Sequence, residues 1–238
     1  MKIKRWGLRH LLLICTVYFI VFSIVELRSV QTAALLTDGS PTIVIDAGHG
    51  GEDGGASTKS GVMESELNLA VACKLEQLLA LCGIKTRMIR TENVSVATQG
   101  DTIRERKRSD LARRIEIVDQ TNTPILVSIH QNHFDRAEYA GLQVFYRDDI
   151  KSKELATQMQ ELFKSAVNSS CRRKCQKAES VYIMQKISCT AVLVECGFLS
   201  NPQEALLLQD DTYQTKLSCV IGSALAQFIE KGETEIEI

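Results

Sequence analysis

Residues 191–195 read Ala-Val-Leu-Val-Glu, four apolar residues closed by a carboxylate. An apolar run without polar alternation is what a strand covered on both faces looks like, and such strands belong to parallel sheets. Working outward, residues 42–46 (TIVID), 84–89, 125–129 (ILVSI), 141–146 and 181–184 read as further strands. Helical stripes lie between them. Leu67, Val71, Leu75, Leu78 and Cys82 step by three and four, and Gly83 stands where such a helix stops. Residues 93–108 are polar without an apolar period and read as a loop leading into a helix marked by Leu111, Ile115 and Val118. Leu155, Met159 and Leu162 mark another helix, and Leu217, Ile221, Leu225 and Phe228 the last. The alternation predicts a single α/β domain with a mostly parallel central sheet flanked by helices on both faces.

Composition agrees with a folded chain. Of 238 residues, 45% are apolar and 24% charged, which excludes a disordered or fibrous protein. The net charge of −1 gives no basic excess to draw nucleic acid, so no nucleic-acid partner is expected.

The first residues carry Lys2, Lys4, Arg5 and Arg9, followed by an apolar run from Leu11 to Val25 broken only by Thr16 and Ser23. A basic head before an apolar stretch is an export signal or an uncleaved anchor, and the anchor is favoured because no good Ala-x-Ala site follows. Positive-inside orientation then places the rest of the chain outside the cytoplasm, membrane-anchored or secreted. The expected layout is a basic head and membrane segment over 1–30, a tether over 31–41, the catalytic domain over 42–231 and a frayed tail over 232–238. Of the eight cysteines, Cys73, Cys196 and Cys219 read as small core residues. Cys171 and Cys175 form a C-x3-C pair that fits either a disulfide or two thiols and lacks the second pair a zinc knot needs.

The chemistry gathers at strand ends, where open α/β sheets place functional groups. His49 follows TIVID inside DAGHGG, His130 ends ILVSI, Glu195 ends AVLVE, and Glu64 opens the first helix. Two imidazoles and a carboxylate are a standard ligand set for catalytic zinc, with a further carboxylate to take a proton from water. The glycines around His49 allow a tight turn, and Asp46 is placed to orient the His49 ring. Each residue also has a plainer reading. A strand-end histidine is often only a satisfied polar group, and Glu64 suits a helix N-terminus. The glycine loop lacks the GxGxxG and GK[ST] patterns of phosphate cradles.

Four segments together resemble one family, the zinc-dependent N-acetylmuramoyl-L-alanine amidases that cut peptidoglycan: IDAGHGGEDGGA at 45–56, ESELNLAVACKL at 64–75, SIHQN at 128–132 and LVECGFLSNPQEALLL at 193–208. The resemblance covers about residues 42 to 229. It implies one zinc ion (Zn2+) per chain, ligated by His49, Glu64 and His130, with Glu195 as the catalytic glutamate. The implied reaction is hydrolysis of the amide between N-acetylmuramic acid and L-alanine.

The chain departs from the pattern at Ala47, at Asp119, and at His133-Phe134, where small residues are usual. His133 therefore competes with His130 as a ligand, with His130 favoured by its strand-end place.

Within the family, the anchor, the polar segment 99–110 and the basic segment 172–177 resemble the sporulation type. That type implies removal of peptides from spore cortex glycan on the forespore side, an accessory lipoprotein, and a downstream muramic acid deacetylase that leads to muramic-δ-lactam. Two readings from other classes remain, an inactive or partner-dependent glycan-binding scaffold and a zinc peptidase acting on wall peptides. The absence of HExxH gives that class of peptidase no support.

Overall fold

The computed structural model describes the backbone of residues 40–236. The chain divides into units 1–40 and 41–238. The expected membrane segment and nearly all of the tether lie outside the described residues, and among the described residues no helix is long and apolar enough to cross a membrane.

Strands β1 (Thr42–Ala47), β2 (Thr86–Met88), β3 (Pro124–Asn132), β4 (Gln143–Tyr146), β5 (Gln176–Lys177) and β6 (Thr190–Phe198) form one six-stranded sheet among these residues, in the order β2-β1-β3-β6-β4-β5. All neighbours run parallel except β4, which is antiparallel to β6. The predicted architecture is therefore observed, with β3 and β6 in the middle of the sheet. Residues 191–194 are each no more than 5% exposed, as a strand covered on both faces requires.

Helices α1 (Glu64–Leu81), α2 (Ile103–Asp119), α3 (Ile150–Ala166), α4 (Tyr182–Lys186), α5 (Pro202–Leu207) and α6 (Asp211–Ile236) complete the described domain. On one face α1 packs against α6, and Ser218 on α6 donates to the Val71 carbonyl of α1 at 3.1 Å. On the other face Val44, Leu126 and Leu193 of the sheet share a core with Ile117 and Val118 of α2 and Ile183 and Met184 of α4.

The structure corrects several expectations. Residues 182–186 form a helix, not a strand, because a run of four mostly apolar residues carries too little period to decide between the two. The stretch expected to be a loop becomes helical at Ile103. A capping box closes its first turn, with Thr102 accepting from the Glu105 amide while the Glu105 side chain accepts from the Thr102 amide. The N-terminal half of α2 has no apolar stripe because charges hold it in place. α5 starts at Pro202 after Asn201, whose side chain accepts from the amides of Gln203 and Glu204. α6 carries helical backbone through Ile236, over most of the segment expected to fray. Cys219 is exposed and Cys73 only partly buried, whereas Cys196 is buried as expected.

Candidate metal centre and active site

Each candidate side chain leaves a different element near the carboxyl ends of the strands. His49 lies just past β1, Glu64 is the first residue of α1, and His130 stands near the end of β3, in register with Glu195 on β6. His49, Glu64 and His130 each offer a ligand atom within 4.8 Å of the others. Glu64 Oε1 lies 3.2 Å from His49 Nε2 and 3.0 Å from His130 Nδ1. The two rings meet edge to face, 5.1 Å between centroids. His133 is exposed just beyond β3 and stands outside this group.

Glu64 is the hub. Its side chain also accepts from the amides of Ala56 at 2.9 Å and Gln131 at 3.2 Å. Burial would raise its pKa, but the hydrogen bonds and charges of His130 and His49 outweigh burial and hold it well below the usual carboxylate range. Burial opposes a charge on His49, and the contacts with Glu64 and Asp53 overcome that and raise its pKa.

Glu195 is the opposite case. Burial pushes its carboxyl up to about 7, the Glu64 charge adds to the rise, and both histidines work against it. Its Oε2 is buried without a hydrogen-bond partner. An unpartnered buried carboxylate oxygen is costly to keep, and groups of this kind gather at functional sites. The donor set fits a catalytic zinc ion: two imidazole nitrogens and a carboxylate oxygen converge, with a second carboxylate, Glu195, beside them that bonds to none of the three.

The backbone here is shaped around the side chains. A Cβ at Gly48 would lie 2.2 Å from the His130 ring. Gly55 has φ +68, and a Cβ there would lie 2.6 Å from Glu64 Oε2. His49 itself has φ 61, an uncommon left-handed conformation that surrounding contacts must enforce.

Two buried arginines supply those contacts. Arg90 donates to the carbonyls of Ala47 at 2.8 Å, Gly48 at 3.0 Å and Ser65 at 2.8 Å. Burial, with the nearby charge of Arg114, lowers its pKa to about 10. Arg114 donates to the carbonyls of Ala47 at 3.0 Å and His49 at 2.6 Å and pairs with Asp46. This corrects the role expected of Asp46. Its carboxylate is held by Arg114 and Ser128, and the carboxylate beside the His49 ring belongs to Asp53. Sequence reasoning misses Arg114, although a signal is present. It lies three residues after Leu111 and four before Val118, inside the apolar stripe, where an arginine needs a buried partner. Arg114→Met leaves Asp46 charged and unpaired in the interior. The expected loss is about 3–5 kcal/mol of unfolding free energy, read by urea denaturation. A loss below about 1 kcal/mol would place the pair with exposed ion pairs instead.

Comparison with known proteins adds to this geometry. The family model described as N-acetylmuramoyl-L-alanine amidase matches residues 43–227. The germination-specific N-acetylmuramoyl-L-alanine amidase of Bacillus subtilis (strain 168) is 32% identical over 195 residues, 80% of this chain and 81% of that protein. The CwlD amidase from Clostridioides difficile, solved in complex with the GerS lipoprotein, superimposes with a TM-score of 0.77 at 36% identity, covering 79% of this chain and 98% of that one. An N-acetylmuramoyl-L-alanine amidase from Clostridium difficile 630 gives a TM-score of 0.70 at 27% identity, over 81% of this chain and 98% of that one.

Proposed function

Because the chain belongs to the N-acetylmuramoyl-L-alanine amidase family, we propose that it strips peptides from spore cortex glycan, using one zinc ion held by His49, Glu64 and His130 and Glu195 as general base. The observation that supports this best is the unpartnered, buried Oε2 of Glu195 on the strand beside the His-Glu-His group.

When bound, zinc polarises the scissile carbonyl and eases deprotonation of water. The rest is done by the chain. Glu195 takes a proton from the attacking water and returns it to the nitrogen of L-alanine as the amide bond breaks. Its raised pKa suits both halves of that task, since a base poised near neutral pH can also act as an acid. Glu64, fixed by the amides of Ala56 and Gln131, keeps the two imidazoles turned toward one point.

The domain works outside the cytoplasm, held to the membrane by the segment ahead of residue 31 and directed to the cortex side of the forespore. The solved CwlD relative is in complex with a lipoprotein, and we extend to this chain an accessory lipoprotein of that kind. The bared muramic acid is then material for a deacetylase that leads to muramic-δ-lactam. Digestion of purified spore cortex and of vegetative wall in parallel tests the substrate. The expected outcome is faster appearance of new L-alanine amino termini from cortex. Equal rates would sink the cortex assignment while leaving the amidase intact.

A further inference from the structure

The helix that begins inside the stretch expected to be a loop carries a charged stripe against the loop that bears His49. Arg106, Asp110 and Arg114 are spaced by four on α2 and so share one face. Arg106 grips Glu52 through two nitrogens, one of them at 2.8 Å from Oε2. Asp110 accepts from the Val96 amide at 2.8 Å and from Arg114 Nε at 2.5 Å. Arg114 donates to the His49 carbonyl at 2.6 Å. Beside this stripe, Lys107 Nζ lies 3.2 Å from Asp53 Oδ2, and the other oxygen of Asp53 lies 3.1 Å from His49 Nδ1. The turn is closed by paired backbone bonds, Gly50 N–H to the Asp53 carbonyl at 2.8 Å and Asp53 N–H to the Gly50 carbonyl at 3.3 Å.

We propose that Asp53, anchored by Lys107, is the positioning residue for His49: it holds the Nδ1 proton, leaving Nε2 as the lone pair that faces the metal. An imidazole has two nitrogens, and a ligating ring must commit one of them. A carboxylate on the far nitrogen fixes the tautomer and the ring angle and makes the ligating nitrogen more basic. His49 needs this help more than His130 does. His130 projects from the middle of a sheet, whereas His49 sits on a glycine-rich turn in a left-handed conformation. The α2 stripe supplies the rigidity that the turn lacks. Asp53 thus acts through His49.

The inference rests on the metal reading above, and the experiment separates the two. Co2+ serves as the probe on the full chain, with affinity measured by competition against a chromophoric chelator and the visible absorption band recorded. Wild type should bind with the band of a nitrogen–oxygen site. Asp53→Asn should bind about 10- to 100-fold more weakly with a shifted band, because the amide can donate to Nδ1 and favour the wrong tautomer. The metal-free melting temperature should stay that of wild type. Lys107→Met, on the exposed side of the pair, should weaken binding by about two- to fivefold, and Lys107→Arg should restore it. If Asp53→Asn fails to fold, Lys107→Met and its arginine rescue decide the matter. Wild-type affinity and band in Asp53→Asn, or in Lys107→Met should it have to decide, would overturn the inference. Failure of wild type to bind Co2+ would overturn the metal centre itself.

Discussion

Glu195→Gln is expected to retain its metal and lose turnover by about 10²- to 10⁴-fold, the usual worth of a positioned proton-transfer group. The substitution keeps the shape of the side chain and removes only its basicity. It is also gentle on the fold, since Oε2 is a buried atom without a partner and no hydrogen bond to it is lost. Glu195 is not among the three converging donors, so the metal should be retained. The measurement is kcat alongside metal content per chain. A drop in kcat with KM and metal unchanged assigns Glu195 to the transition state. Turnover within tenfold of wild type would remove Glu195 from the chemistry.

His49→Ala is expected to lose both metal and activity. The change takes away one of three converging donors and leaves His130 as the remaining imidazole beside Glu64 Oε1. Loss of a direct ligand should cost more than the roughly 10- to 100-fold in affinity that changes to outer partners cost. The two variants therefore separate the two roles, one inert with metal and one inert without it. Added zinc should restore part of the activity of His49→Ala and none of that of Glu195→Gln. Wild-type metal content in His49→Ala would mean that the cluster is held by hydrogen bonds and is not a metal centre.

Much of this is legible in the sequence. The sheet is readable because its central strands are buried on both faces, and an unbroken apolar run as short as 191–194, closed by a charge, suits a central strand better than a helix. The candidate site is readable for a related reason. A carboxylate closing an apolar strand, and histidines closing two more segments of the same kind, are placed by topology at the carboxyl ends of neighbouring strands whatever the loops do. What escapes is whatever depends on polar contacts between distant segments. The start of α2 shows no apolar period because Arg106 and Lys107 face Glu52 and Asp53 across more than fifty residues of chain. Asp46, three residues from His49, is the nearer carboxylate upstream of that ring, yet Arg114, 68 residues further along the chain, claims it. The short helix α4 passes for a strand because its few residues are apolar in either arrangement.

Hydrolysis of the sugar–peptide amide, with metal at His49, Glu64 and His130 and a proton relay at Glu195, is best tested by mass spectrometry of purified peptidoglycan digested by the full chain, with zinc and after chelation. The expected result is zinc-dependent release of peptides that begin with L-alanine, with the glycan strands left intact. Release of fragments cut within the peptides, or cutting that persists unchanged after chelation, would contradict it.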